Sequence, residues 1–315
     1  MPIFSAADKI GRNLQEKNQS DNLSNNLQNR NTSLLSVILL TKNEEVNLPN
    51  ALASLRKLGA DIFVVDSGST DQTVAIAQQA GCQVFEHPFE NQAQQLNWAL
   101  QNLPIKTTWV MRLDADERLT QELVEELKQV LGETPDHITG YQVKRRVFFM
   151  GRWIRHGGYY PTWLLRIWRT GLGTCEQRHM DEHIVLSRGK IANLQHDIID
   201  ENQKGLSFWT DKHNRYADRE VKDLLCAMSA NSDELLKDRQ FSQARRRRWV
   251  KTNLYVQSPL FFRAFLYFLM RYTIGLGFLD GMEGLIFHFL QGFWYRFLVD
   301  AKIYELKRNT KFANE

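Results

Sequence analysis

Acidic and hydroxyl side chains gather where three apolar runs end, and they have the types and spacing for chemistry. Asp114-Ala115-Asp116 follows Trp109-Val110-Met111-Arg112-Leu113. Two carboxylates one residue apart at a strand-to-loop corner can converge on one divalent cation. Mg²⁺ takes one or two protein carboxylates and fills its other positions with water and phosphate oxygens. Such an ion neutralises charge on a departing diphosphate. Asp66-Ser67-Gly68-Ser69-Thr70-Asp71 closes the run Ile62-Phe63-Val64-Val65, leaving Asp66 at a strand end to accept hydrogen bonds from a base or ribose. Thr41-Lys42-Asn43-Glu44-Glu45 closes the run Leu34 to Leu40. Blander roles compete for these residues. Asp116 and Glu117 suit the N-terminus of a helix through Leu123 and Leu127, and Ser69 or Thr70 suits a helix cap.

Other chemistries lose their warrants. Neither Gly-x-x-x-x-Gly-Lys-Ser/Thr nor Gly-x-Gly-x-x-Gly follows the first run, so kinase-type and dinucleotide readings are unsupported. Cys82, Cys175 and Cys226 are too scattered for a disulfide framework or zinc ribbon, which predicts a reducing, cytoplasmic setting. A net charge of +4 over 315 residues does not argue for nucleic acid, while 43% apolar residues allow a sizeable core.

The elements that must position these clusters follow from periodicity. The apolar runs at 34–40, 62–65, 83–86 and 109–113 read as buried strands, with helical spacing between them: Leu48, Leu52 and Leu55; Val74, Ala77 and Ala80; and about Gln92 to Leu103. Four β-then-α units predict a mostly parallel, doubly wound α/β sheet, because parallel strands need crossover helices. Ligands bind such sheets outside the carboxyl ends of the strands, where the polar clusters sit. Residues 1–33, rich in Asn and Gln, read as a disordered leader; 34–236 as the catalytic domain; 237–315 as a helical, basic and aromatic region.

Val37 to Glu45, Val64 to Asp71 and Leu113-Asp114-Ala115-Asp116-Glu117, taken in that order, resemble the inverting family 2 glycosyltransferases with the A-type nucleotide-sugar fold. Gly151-Arg152-Trp153-Ile154-Arg155-His156-Gly157-Gly158 and Gly277-Phe278-Leu279-Asp280-Gly281 resemble the bacterial subgroup that builds lipopolysaccharide core and related envelope glycans. The resemblance runs from about residue 34 to 300. It implies that Thr41, Asn43 and Glu45 lie against the nucleotide and that Asp66 bonds a pyrimidine. Asp114 is then near ribose and metal, and Asp116 is the direct ligand of Mg²⁺ or Mn²⁺. Gln95 and Asn97 fall where relatives often read Gln-Lys-Asn, with Leu96 replacing the basic residue. The implied donor is a nucleotide diphosphate sugar, expected to be a UDP-sugar, and the acceptor an envelope glycan or lipid-linked sugar. A polyprenyl-phosphate acceptor and a non-catalytic nucleotide-sugar-binding or scaffold role are the alternatives.

Inverting transfer needs a base to take the proton of the attacking hydroxyl. The resemblance puts it in Arg178-His179-Met180-Asp181-Glu182-His183, as Asp181 or Glu182, since neighbours in an extended segment point oppositely. His183 is a further metal or phosphate candidate. Arg155, His156 and Arg166, beside Trp153, Tyr159, Tyr160 and Trp163, suit a phosphorylated or acidic acceptor.

The C-terminal third is aromatic and apolar, but Arg263, Arg271 and Arg296 interrupt it, so it is a poor spanning candidate. Arg263, Tyr267 and Arg271 fall on one helical stripe, which predicts an interfacial helix with arginines toward lipid phosphates. The Arg245-Arg246-Arg247-Arg248 block would add attraction to the anionic inner leaflet of the plasma membrane. Packing on the catalytic domain or on a second subunit is the alternative, and the oligomeric state stays open.

Overall fold

The computed structural model describes residues 33–176, 183–229 and 258–312. The leader through residue 32, Asp181, Glu182 and the Arg245–Arg248 block lie outside the described residues.

The first half is the expected alternation: β1 (Leu35–Thr41), α1 (Leu48–Leu55), β2 (Asp61–Asp66), α2 (Thr73–Gln79), β3 (Gln83–Glu86), α3 (Gln92–Asn102) and β4 (Trp109–Asp114). These strands are parallel in the order β3-β2-β1-β4. Successive side chains leave a strand on opposite faces, and β1 uses both. Val37 and Leu39 pack with α1 and, from α4 (Gln121–Glu133), with Leu123 and Leu127. Ile38 packs with Ala93, Leu96 and Ala99 of α3 on the other side. Each fully buried Leu or Ile stabilises this sandwich by about 1.5–3 kcal/mol.

Beyond β4 the sheet changes character. It continues as β8 (Trp163–Arg169), β6 (Ile138–Phe149), β11 (Lys190–Glu201) and β5 (Glu117–Leu119), with β7 (Arg152–Ile154) paired to β6. β8 is antiparallel to both β4 and β6, and β5 is antiparallel to β11. The chain therefore leaves the parallel half at Asp114 and re-enters the sheet on its far side at Glu117. Asp114–Asp116 is the bridge between the two halves. A short hairpin, β9 (Gly173–Cys175) with β10 (Ile184–Leu186), flanks the sheet.

Asp116 and Glu117 do not begin a helix. Glu117 is in β5, and α4 is capped by Thr120, whose side chain accepts from Leu123 N. Ser69 and Thr70 are not caps either: Asp71 accepts from Thr73 N at 3.0 Å in the first turn of α2.

The long helix α5 (Gly205–Ser229) shares a core with the last helix, α8 (Tyr295–Phe312), through Ala217, Val221, Tyr295, Val299 and Ile303. Between them run α6 (Phe262–Leu269), a π turn (270–274), a 3₁₀ turn (277–280), α7 (Gly281–Phe287) and a second π turn (288–294). The expected stripe of arginines is inverted. Arg263 is buried in an ion pair with Asp300, and Arg271 donates to Gly157 O and lies 3.9 Å from the Tyr159 ring centre. Burying a guanidinium requires a partner, and the loop after β7 and α8 supply it; these arginines do not face lipid phosphates.

Candidate active site

Two loops at the carboxyl ends of β1 and β2 are laced together residue by residue. Thr41 Oγ1 donates to Asp66 Oδ1 at 2.8 Å, and Lys42 Nζ donates to the carbonyls of Ser67 and Gly68, each at 2.7 Å. Asn43 N donates to Ser69 Oγ at 2.7 Å, and its side chain accepts from Thr70 N at 2.8 Å. Glu44 N donates to Thr73 Oγ1, Glu45 N to Asp71 Oδ2, and Glu45 Oε2 accepts from Gln72 N. Asn43 takes φ 54°, a left-handed backbone that Asn tolerates better than most residues. Asp66 is only 2% exposed and is not free, since Ser69 also donates to it through both N and Oγ. A carboxylate offers about four acceptor positions, so one remains on Oδ2.

The second feature is a cluster of matched charges. Asp114 accepts from Arg112 Nε at 3.1 Å on one oxygen and from Arg166 Nη2 at 3.2 Å on the other. Arg166 also bonds Glu117 at 2.5 Å, and Glu117 accepts from Asp114 N. Arg145 pairs with Asp200 at 3.2 Å, Lys204 with Glu44 at 2.6 Å, and Lys212 lies 3.7 Å from Asp116. Five carboxylates, Glu44, Asp114, Asp116, Glu117 and Asp200, thus stand beside five bases, Arg112, Arg145, Arg166, Lys204 and Lys212. The laced loops add Glu45, Asp66 and Asp71 against Lys42, so at these strand ends the described acidic side chains outnumber the bases.

The cluster sets its own protonation. Burial works against the Asp114 carboxylate, but Arg112 and Arg166 together hold it well below the ordinary range. Glu117 is pushed up to about 7 by burial, with Arg166 opposing and Asp114 adding to the rise. Asp200 is pushed up to about 6 by burial, with Arg145 opposing and Asp116 and Asp114 adding to the rise.

Each expected site residue among the described ones has a definite place, while Asp181 and Glu182 lie outside them. Thr41, Asn43, Glu45 and Asp66 come together at the laced loops, and Asp114 and Asp116 at the bridge. Asp114 was expected near both ribose and metal, but each of its oxygens is already engaged by an arginine. Asp116 is different: Asn202 Nδ2 donates to it at 3.0 Å, Lys212 stands off, and its side chain is 17% exposed. Among the described residues no three metal-ligating side chains converge. The donor set suits a hard divalent ion held by one carboxylate, with substrate phosphates filling other positions.

Two expected acceptor contacts, Arg166 and His156, are corrected, whereas the exposed Arg155 side chain lies 5.2 Å from the Trp153 ring centre. Arg166 is buried and committed to Asp114 and Glu117. The backbone N–H groups of Arg155 and His156 both donate to Asp280, and His156 Nδ1 lies 2.6 Å from the same carboxylate. These two residues fasten the loop after β7 to the C-terminal helices. His183 is half-buried at the neck of the β9–β10 hairpin, where its carbonyl accepts from Glu176 N at 2.9 Å. Gln95 is buried and brackets His87 and Ser67, while Asn97 grips both backbone groups of Cys175 at 2.8 Å.

Arg112, and Arg166 in any role but acceptor contact, escaped the sequence reading, as did Arg145, Asp200 and Lys212. A signal existed for the first two. Each is a charge inside an apolar run, Trp-Val-Met-Arg-Leu and Trp-Leu-Leu-Arg-Ile-Trp, and a buried charge demands a partner.

A parallel α/β half, a mixed half built from β8, β6, β11 and β5, and a carboxylate bridge between them make the A-type fold of nucleotide-sugar enzymes. Residues 36–189 match the model of the family described as Glycosyl transferase family 2. The chain is 28% identical over 283 residues, 86% of its length and 92% of the relative's, to the lipopolysaccharide core biosynthesis glycosyltransferase LpsC of Rhizobium meliloti. It is 33% identical over 114 residues, 36% of its length, to an uncharacterized glycosyltransferase of Rickettsia bellii, and spans 38% of that relative. Among solved structures, S. aureus TarS 1-349 in complex with UDP-GlcNAc is similar at 16% identity and a TM-score of 0.47, covering 86% of this chain and 91% of that one.

Proposed function

We propose that the chain is an inverting glycosyltransferase that moves a sugar from a nucleotide diphosphate sugar, a UDP-sugar, to an envelope glycan or lipid-linked acceptor at the cytoplasmic membrane face. The observation that carries the reading is the bridge: Asp116 offers a carboxylate at the junction of the two sheet halves, beside loops already shaped for a nucleotide. The remaining acceptor position on Asp66 Oδ2 suits the N–H of a pyrimidine base. Asp114, kept charged by its two arginines, suits a ribose hydroxyl.

The rim's lack of surplus positive charge explains the need for a cation. Two or more negative charges on a diphosphate would enter a cluster with no net positive charge among its described members. Asp116 would hold Mg²⁺ or Mn²⁺, which when bound supplies the positive charge that stabilises the leaving diphosphate. Lys212 and Asn202 hold the carboxylate in place meanwhile. Asp181 or Glu182 takes the acceptor proton, a contribution of about 10²–10⁴-fold. Similarity to LpsC supports a lipopolysaccharide-core acceptor.

The test is hydrolysis or transfer of radiolabelled UDP-sugars with and without Mn²⁺. Metal-dependent release of UDP, abolished in Asp116→Asn, is expected. A chain that binds UDP-sugars but releases no UDP with any acceptor extract would overturn the reading. Label entering butanol-extractable lipid would point to a polyprenyl-phosphate acceptor.

A further inference from the structure

The C-terminal helices expose apolar side chains in an unusual arrangement. Met270, Ile274, Leu276, Phe278, Leu279 and Met282 surround one sharp bend, and Ile274 is 80% exposed. The two arms, Phe262–Ile274 and Gly277–Asn309, meet at 72°. Neither arm alone is long and apolar enough to cross a membrane, but the pair passes that test by length and composition together. At 1.5 Å per residue the first arm is about 20 Å long, against a hydrocarbon core of about 30 Å. It can reach past the middle of the hydrocarbon without crossing it.

Every charged side chain from Phe262 to Arg296 is turned to a protein partner. Arg263 pairs with Asp300, Arg271 with Gly157 O, Glu283 with Arg152, and Arg296 with Glu220. Asp280 accepts from Arg155 N and His156 N, and lies 2.6 Å from His156 Nδ1 and 3.4 Å from His288 Nε2. The bend itself is locked to the catalytic domain. Gly157 N donates to Gly275 O at 2.7 Å, and a Cβ at Gly275 would meet Arg271 O at 2.6 Å and Gly157 Cα at 3.0 Å. Backbone N–H groups at the turn are also satisfied internally, Gly275 N by Met270 O and Leu276 N by Thr273 O. That satisfaction is what hydrocarbon requires, since no water is there to accept or donate. Basic residues stand at both open ends in sequence, Arg245–Arg248 before the first arm and Lys307, Arg308 and Lys311 near the end of the second. They complement anionic headgroups at the surface while the bend lies below it.

We infer that residues 262–297 form a re-entrant wedge that inserts its bend into one leaflet of a phospholipid bilayer, so that the chain is a monotopic membrane protein held by acyl-chain contact. The inference deepens the membrane placement proposed above and leaves the transfer chemistry independent of it. The inward arginines fix the wedge's angle on the catalytic domain, and the apolar rim around Ile274 meets lipid.

The test floats the full chain with vesicles of phosphatidylethanolamine and phosphatidylglycerol, then washes them with 1 M salt and with alkaline carbonate. Retention through both washes and release by detergent are expected. Met270→Glu/Ile274→Glu should float at least tenfold less, with metal-dependent UDP-sugar hydrolysis in detergent unchanged. Release by salt alone, or no flotation, overturns the wedge. So does an oligomer in light scattering that the double variant converts to monomer, because a second copy then covers the face. Loss of hydrolysis with flotation intact would sink the enzymatic reading and leave the wedge standing.

Discussion

The rim of the active site and the C-terminal wedge both bury charges, but they turn them in different directions. At the rim, carboxylates and bases crowd at strand ends, and the Asp116 side chain stays 17% exposed. In the wedge, each charge is fastened to protein partners and the outside is left to Ile274, Met282 and their neighbours. The difference shows two uses of the same ion pair. At the rim it keeps a carboxylate charged for a ligand; in the wedge it holds a shape.

The comparison breaks most sharply at Asp116. Asp116→Asn should lower turnover about 10³-fold while leaving the unfolding midpoint within a degree or two, measured by UDP release and thermal melting; an equal fall in stability would make Asp116 structural. Arg166→Gln should do the reverse. It strands Asp114 and Glu117 without their shared cation, and breaking a buried pair costs about 3–5 kcal/mol, read from urea unfolding. Arg263→Met should cost about 3 kcal/mol or somewhat more for the same reason, yet leave UDP-sugar affinity unchanged, and Arg263→Met/Asp300→Leu should recover much of the loss.

A smaller effect sharpens the contrast through pH. His213, stacked on Trp209 at 3.5 Å, is lowered to about 4 by burial, although its bond to Trp209 O opposes the shift. The unfolded chain then binds a proton that the folded chain refuses between pH 6.5 and pH 4. Stability contributed by the neutral ring is complete above pH 6.5 and is lost as pH falls toward 4, by roughly 2 kcal/mol after solvent screening. His213→Gln should remove the rise of melting temperature with pH that the ring contributes across that window. Asp200 slopes the other way: raised to about 6, it favours folding while protonated and withdraws that support as pH rises from 3.8 to 6. Asn97→Ala should have the smallest effect, about 1 kcal/mol, with the loss confined to the neck of the β9–β10 hairpin and read by local amide exchange.

The parallel half was legible because its strands are buried on both faces and so read as continuous apolar runs ending in polar clusters. β6 and β11 were not, since Lys144, Arg145 and Arg146 stand consecutively in a strand whose partners in β11 lie about fifty residues away. Their charges make sense only once Asp197 and Asp200 stand opposite. Most carboxylates of the site were visible as motifs, but Asp200 and the bases came from β4, β6, β8, β11 and α5, and no local spacing announces that convergence. The wedge failed for a different reason. Its helical stripe of Arg263, Tyr267 and Arg271 was found correctly, but periodicity gives a face and not the neighbour it meets. The second arm and the Gly157 loop decided which side became the inside.

The lacing of residues 41–45 to residues 66–73 has a kinetic meaning. Both loops hold their form by bonds to each other, so a visiting nucleotide has little backbone left to order. Association should then follow a single exponential whose rate rises linearly with ligand concentration, without the plateau that a rearranging pocket imposes.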